Sequence, residues 1–270
     1  MNNITPKVDF QNELSALFDL KGQVAFVPGG YGGIGEAIAW GLVLAGAKVV
    51  IAGRSQEKSE KLASQLSESG HDAKGIALEA TSVADIKRAV QDAMAAYGQI
   101  DILMNCVGTQ NEQSLLDVTE EAFDDVYRVN LKSAMFLAQA VAEQQIASGN
   151  GGKQVHLLSV RSQLGLRDRG YSAYCSTKGG MVMLIKQHAM ELAPNGITVN
   201  GVAPTFVYTE MIRHVMENDE FRKGLLDRIP LGRIADPKDI VGPALFFCAP
   251  ASGFVTGQTM YVDGGITSSQ

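Results

Sequence analysis

Tyr174 and Lys178, in the run Tyr174-Cys175-Ser176-Thr177-Lys178, have the types and spacing to move a proton. Of the seven tyrosines, only Tyr174 is followed by a lysine four residues on. On a helix that spacing stacks two side chains on one face, about 5–6 Å apart at Cβ. A free phenol titrates near pH ~10 and exchanges protons poorly at neutral pH. A neighbouring ammonium favours the phenolate, which predicts a phenol pKa drawn down towards the range where acid–base catalysis is efficient. Far upstream stands a glycine-rich run, Pro28-Gly29-Gly30-Tyr31-Gly32-Gly33-Ile34-Gly35. The pair and the run together read as proton transfer coupled to hydride transfer.

The elements that must position these residues alternate along the chain. Short apolar runs rich in β-branched residues fall at 24–27, 48–52, 100–105, 154–159, 198–203 and 259–262, with helical stretches at 33–45, 57–68, 83–97, 120–147 and 173–192. Buried-type strands separated by helices predict an α/β fold, a single Rossmann-type doubly wound parallel sheet with helices on both faces. Its ligands belong at the carboxyl ends of the strands. Residues 21–270 form one domain in this reading, without internal repeat or linker. Residues 1–20 are a polar extension in which Leu14, Leu17 and Phe18 could form one helical turn.

The glycine run follows a strand and opens a helix, the context that gives such a motif meaning. Gly29 can bend the chain tightly, while Gly33 and Gly35 let the backbone approach a pyrophosphate and the helix pack on the sheet. Helix amides and dipole then attract phosphate. The second strand ends in Ala52-Gly53-Arg54-Ser55. An acid there would bind the 2′-hydroxyl of NAD, whereas arginine suits the 2′-phosphate of NADP. NADP(H) is therefore favoured over NAD(H), although Gly32 leaves the glycine run without a second basic residue.

Composition narrows the class of partner. With 46% hydrophobic and 19% charged residues, the 270-residue chain is long enough for a large core. The net charge of −6, without a lysine/arginine block, argues against nucleic acid or an anionic membrane. Cys106, Cys175 and Cys248 are too scattered for a metal site or a disulfide framework and suit a reducing, cytoplasmic setting. No apolar run reaches the ~18 residues of a membrane span, and no signal peptide is evident.

Over residues from about 20 to 265 the chain resembles the short-chain dehydrogenase/reductases. The resemblance is carried by Gly29/Gly33/Gly35, Asn105-Cys106-Val107-Gly108, Asn130 in Val129-Asn130-Leu131, Ser159, Tyr174/Lys178, the stretch from Pro204 to Thr209, and Val262-Asp263-Gly264-Gly265. It implies a nicotinamide cofactor and a catalytic group of Asn130, Ser159, Tyr174 and Lys178. Tyr174 would be general acid in reduction and general base in oxidation. Lys178 would lower its pKa and hold ribose hydroxyls, Ser159 would polarise the carbonyl, and Asn130 would anchor a relay water. The interval from Ser159 to Tyr174 exceeds the family's usual one, so Ser162 is a rival; Ser159 is preferred because it directly follows the strand. Implied cofactor contacts are Gly29, Tyr31, Gly32, Gly33, Ile34, Gly35, Arg54, Ser55, Ala80, Thr81, Asn105, Val107, Gly108, Tyr174, Lys178, Pro204, Val207 and Thr209.

Departures from the pattern bear on cofactor affinity. Pro28 replaces a threonine, Cys106 and Val107 replace asparagine and alanine, Thr205 replaces a glycine, and Ala80 stands where an aspartate usually meets adenine. Residues 205–234 fall where the family carries its substrate lid. Ser159, Arg161, Arg169, Tyr174 and Thr205 are candidate substrate residues, with Arg167, Arg213 and His214 also near, and such arginines could receive a carboxylate. Leu17 to Gly22 and the arginine-bearing loop resemble the gluconate/polyol dehydrogenase-like branch, making a sugar, polyol or sugar acid the expected small-molecule substrate. A 3-oxoacyl-carrier-protein reductase and a non-catalytic dinucleotide sensor are the alternatives. Family members usually pack the 120–147 and 173–192 helices against their copies as homotetramers. Apolar residues beyond one stripe (Met135, Phe136, Leu137; Met181 to Ile185) fit that assembly.

Overall fold

In a computed structural model, residues 9–167, 169–212 and 217–268 are described. Strands β1 (Val24–Pro28), β2 (Lys48–Gly53), β3 (Ala73–Ala77), β4 (Ile102–Asn105), β5 (Gly152–Leu157), β6 (Ile197–Pro204) and β7 (Thr259–Val262) build one sheet. Their order is β3-β2-β1-β4-β5-β6-β7, and every pairing is parallel. All five residues of β1 are buried, because both faces of the sheet are covered. Helices α2 (Gly33–Leu44), α3 (Gln56–Glu68) and α9 (Pro237–Cys248) lie on one face, where Ala25 and Val27 join Ile38, Leu62 and Phe247. Helices α4 (Val83–Tyr97), α6 (Ser133–Ser148) and α7 (Ser172–Leu192) cover the other, where Phe26 and Val50 meet Ile86, Val90 and Leu137. Each such side chain contributes roughly 1.5–3 kcal/mol by leaving water. The chain direction across the sheet reverses between β1 and β4, and a crevice opens there at the strands' carboxyl ends.

The doubly wound sheet is as expected, with one strand more than the sequence pattern showed. The seventh, β3, is an edge strand of sequence Ala-Lys-Gly-Ile-Ala whose last four residues are only partly buried or exposed. The stretch 120–147 is not one helix. It comprises α5 (Glu120–Tyr127), a π-helical turn at Arg128–Lys132, and α6. Helices α8 (Asp219–Leu226) and α9 also lay outside the sequence reading; Pro237, Gly242 and Pro243 interrupt the pattern of α9. In the N-terminal extension, α1 (Phe10–Ser15) is capped by Asp9. Phe10, Leu14 and Phe18 are exposed, while Leu20 enters the core.

Connections fix the crevice rim. Ser55, Ser82 and Thr119 each accept a backbone N–H as N-caps of α3, α4 and α5. Between β6 and α9 the chain leaves the sheet and returns: Val207 bridges Ala235, and the Leu231 N–H donates to the Gly264 carbonyl at 3.1 Å. Among the described residues, no helix is long and apolar enough to cross a membrane.

Candidate active site

The glycine turn sits at the switch point. Gly29 has φ +75°, and its N–H donates to the Ala52 carbonyl at 2.7 Å. A Cβ on Gly35 would stand 2.4 Å from the Gly29 carbonyl oxygen, so a side chain cannot enter without reshaping the turn. Gly32 precedes α2 and supplies no side-chain cap, which leaves the amides of Gly33, Ile34 and Gly35 for an anion. Thr209 packs on Gly33. Arg54 is exposed and has no ion pair among the described residues. Pro28, in place of a threonine, still has its carbonyl in use, accepting the Cys106 N–H at 2.8 Å.

Other expected cofactor residues divide between crevice and support. Asn105 is fully buried; its Oδ1 accepts the Val107 N–H at 3.0 Å and its Nδ2 lies 3.2 Å from His156 Nδ1. It braces the turn after β4 from beneath. Val107 and Ala80 pack into the core towards α4. Beside Ala80, the Glu79 carboxylate accepts both the N–H and the hydroxyl of Thr81, an acid that sequence reading passed over. Gly108 is exposed next to Lys178 Nζ and Asn130 Oδ1. Pro204 ends β6, and Val207 is buried.

Tyr174 and Lys178 project from the same face of α7, with Lys178 Nζ 5.7 Å from the phenol ring centroid. The lysine donates to the Leu157 carbonyl at the end of β5, at 2.9 Å. Asn130, buried within the π turn, bridges two elements. Its Oδ1 accepts the Thr109 N–H at 2.7 Å, and its Nδ2 donates to the Thr109 carbonyl at 2.9 Å and to Thr177 Oγ1 at 3.1 Å. Both amide hydrogens are thus engaged, and one Oδ1 lone pair remains for a water. π turns often mark functional positions.

The two serines separate. Ser159 faces Tyr174 and favours its phenolate, and its Oγ accepts the Arg161 N–H at 3.1 Å. The Ser162 hydroxyl instead donates to the Ser159 carbonyl at 2.7 Å and lies 3.2 Å from the Tyr261 hydroxyl.

Electrostatics depart from the sequence expectation. Burial pushes the Tyr174 phenol up to about 12, against the opposing pull of Ser159 and Arg161. Burial likewise brings the Lys178 ammonium down to about 8. The lysine was expected to lower the phenol. Both side chains are instead desolvated, and desolvation disfavours phenolate and ammonium alike. Cys106 is also pushed up to about 12 by burial, so its thiol stays protonated.

The arginines of the loop after β5 have unequal surroundings. Arg161 is 5% exposed; its guanidinium donates to the carbonyls of Gly165 (2.5 Å) and Leu164 (3.4 Å), and no carboxylate pairs with it among the described residues. Burial and the Arg228 cation lower its pKa, while the Tyr171 and Tyr174 phenols lie close enough to act the other way. Arg169, in contrast, makes a two-pronged ion pair with Glu112, both contacts at 2.5 Å. Its guanidinium also lies 5.2 Å from the Phe221 ring of α8 and 5.9 Å from Tyr171. Arg169 therefore ties three segments together, and its guanidinium is already engaged where the sequence reading placed it among the substrate residues. Tyr171, edge-on to Tyr174 at 5.9 Å, was missed although it stands three residues earlier on the same face. Thr205 carries a buried Oγ1 without a hydrogen-bond partner among the described residues. Arg213 and His214 lie outside the described residues.

Residues 29–267 match the family model described as enoyl-(acyl carrier protein) reductase. Gluconate 5-dehydrogenase of Gluconobacter oxydans (strain 621H) is 38% identical over 259 residues, covering 94% of this chain and 98% of that protein. L-xylulose reductase of Mesocricetus auratus is 38% identical over 246 residues, covering 91% and 97%. A crystal structure of a gluconate 5-dehydrogenase from Burkholderia cenocepacia J2315, in complex with NADP and tartrate, superposes with a TM-score of 0.91 at 36% identity, covering 94% and 99% of the two chains. The chain belongs to the short-chain dehydrogenase/reductases. It is an NAD(P)-dependent oxidoreductase acting on CH–OH/C=O.

Proposed function

We propose that the protein interconverts a keto sugar acid and its secondary alcohol with NADP(H). The observation that carries this reading is Arg161: a buried guanidinium beside the Tyr174 phenol, bonded among the described residues only to carbonyls. A buried cation without a counter-charge is costly, and a substrate carboxylate would neutralise it in bidentate geometry. Relatives that act on gluconate support the choice, as does tartrate, a dicarboxylate, in the neighbouring structure.

The cofactor reading fits the site. Uncapped amides at the start of α2 would hold pyrophosphate, Lys178 the nicotinamide ribose, and the exposed Arg54 a 2′-phosphate. When bound, the nicotinamide gives or takes the hydride. Ser159 hydrogen-bonds the substrate oxygen as charge develops on it. Tyr174, protonated at neutral pH, donates to that oxygen in reduction and must first lose its proton to act in oxidation. Asn130 holds the relay water to Lys178. The segment 205–234 acts as the lid, and Arg169 fixes its α8 against the loops after β4 and β5.

The chain assembles as a cytoplasmic homotetramer in this reading. Exposed Phe123, Tyr127, Met135, Met183 and Met190 on α5, α6 and α7 form the contact face, whereas Leu137, Met181 and Ile185 belong to the core. Light scattering that returns a monomer mass at micromolar concentration would count against the assembly.

The test of substrate class is NADPH oxidation with 5-ketogluconate, L-xylulose and a 3-oxoacyl thioester. The keto acid is expected to exceed the neutral ketose by about tenfold or more in kcat/KM, from a charge-assisted hydrogen bond. Arg161→Leu should erase that margin while leaving the ketose rate alone. A thioester turned over fastest would favour the acyl-carrier-protein alternative.

A further inference from the structure

At the end of β2 the glycine turn contributes a side chain as well as backbone. The Tyr31 ring lies across Gly53: a Cβ placed on Gly53 would stand 2.3 Å from Tyr31 Cε1, 2.9 Å from Cζ and 3.1 Å from Cδ1. The phenol oxygen accepts the Ser55 N–H at 3.2 Å. Ser55 itself is committed to the helix that follows, its Oγ capping α3 through the Lys58 N–H at 3.2 Å. Tyr31 also packs against the core layer formed with α2 and α9. The ring is thus held from below by packing and at its tip by one accepted hydrogen bond, and the phenolic hydrogen has no acceptor among the described residues.

Two consequences follow for a nucleotide ribose at this place. An acid at position 53, which would bind a free 2′-hydroxyl, requires the Tyr31 ring to move off Gly53. The phenolic O–H stands at the Ser55 N–H, one residue along the chain from Arg54, whose guanidinium has no ion pair among the described residues, and at the turn where Gly32 contributes no charge. An acceptor with several anionic oxygens satisfies both donors at once, and a lone hydroxyl satisfies neither as well.

We propose that Tyr31 determines cofactor specificity: its hydroxyl donates to the 2′-phosphate of NADP(H) in place of a second cation, and its ring bars an acid from position 53. This rests on the NADP(H) reading above. The donor differs in kind from an arginine or lysine, because it recognises the phosphate without adding charge. Discrimination through Tyr31 therefore persists in salt that screens the Arg54 contribution.

Fluorescence titration of the full chain with NADPH and NADH separates the outcomes, with thermal melting as a check on folding. Tyr31→Phe keeps the ring over Gly53 and removes the donor. NADPH dissociation should weaken about three- to tenfold while NADH binding and the melting temperature stay unchanged. Gly53→Asp alone should melt earlier and bind both cofactors worse. Adding Tyr31→Ala to it should restore melting and turn the preference to NADH. Equal loss of NADH and NADPH in Tyr31→Phe, or no loss, overturns the role of the hydroxyl. A Gly53→Asp protein that is stable and NADH-preferring with Tyr31 intact overturns the steric role. Wild-type protein that binds neither cofactor, or NADH as tightly as NADPH, sinks the cofactor reading first and this inference with it.

Discussion

The two halves of the cleft are held by different kinds of contact. On the nucleotide side, backbone meets backbone: the Gly29 N–H reaches Ala52, Cys106 reaches the Pro28 carbonyl, and Gly35 presses against Gly29. On the substrate side, side chains reach across segments: Arg169 to Glu112, Tyr171 and Phe221, and Asn130 to the Thr109 backbone and the Thr177 hydroxyl. A backbone contact leaves no room for an added atom, whereas a side-chain contact can be exchanged for another of similar reach. One half of the cleft should be intolerant of small changes and the other adjustable, which suits a fixed cofactor and a substrate that varies among relatives.

The proposed catalytic group sits at the seam between these halves and should show the largest effects. Tyr174→Phe should lower kcat by at least ~10², the low end for a general acid–base group, with cofactor binding retained. Near-normal turnover would remove Tyr174 from the mechanism. The phenol held up at about 12 also sets a direction. Reduction uses the protonated form, which is fully populated at neutral pH, so its rate should be flat up to about pH 7, one unit below the Lys178 value of about 8. Above that point Lys178, brought down to about 8, loses its proton and reduction should fall. Oxidation needs the phenolate, whose fraction grows about tenfold per pH unit below the pKa, so kcat for the alcohol should climb steeply from pH 6 to 8. A flat oxidative profile over that range would show that the phenol titrates far lower in the working complex.

The nucleotide half is next. Gly35→Ala would put a carbon 2.4 Å from the Gly29 carbonyl oxygen, and overpacking of this kind costs about 1–3 kcal/mol. Cofactor affinity should drop by roughly tenfold or more on the same scale, together with the melting temperature. Unchanged affinity for NADPH would show that the turn yields where the backbone geometry says it cannot.

How much of this was legible in the sequence follows the same division. The glycine turn and the Tyr174/Lys178 pair are local patterns, and local patterns could be read. β3 was invisible because its partly exposed edge sequence carries Lys74 and Gly75 where buried strands carry branched residues. The π turn was invisible because a single extra backbone residue shifts the phase of the helix without changing its composition, and Asn130 is the buried residue of that turn. Arg169 looked like a substrate cation because Glu112 lies 57 residues away in the chain, a separation that no spacing argument spans. The direction of the Tyr174 shift was read backwards for a related reason. Helical spacing shows the neighbouring ammonium, but the burial that dominates the phenol comes from segments distant in sequence.

The smallest expected effect tests the adjustable half. Glu112 and Arg169 are about one-third and one-quarter exposed, so their pairing contributes about 0.2–1 kcal/mol after screening by solvent. Arg169→Glu should raise the substrate KM about two- to fivefold on that scale, leaving kcat and NADPH affinity unchanged, because α8 and the loop after β4 are no longer drawn together. Exchanging the pair, Glu112→Arg with Arg169→Glu, restores opposite charges across the same gap and should recover KM in low salt. Recovery would show that the contact acts through charge between segments and that the segments accept either polarity. If the exchanged protein stays as weak as the single variant, the stacking of Arg169 on Phe221 and Tyr171 holds the lid instead, and this half of the cleft is as particular about its parts as the other.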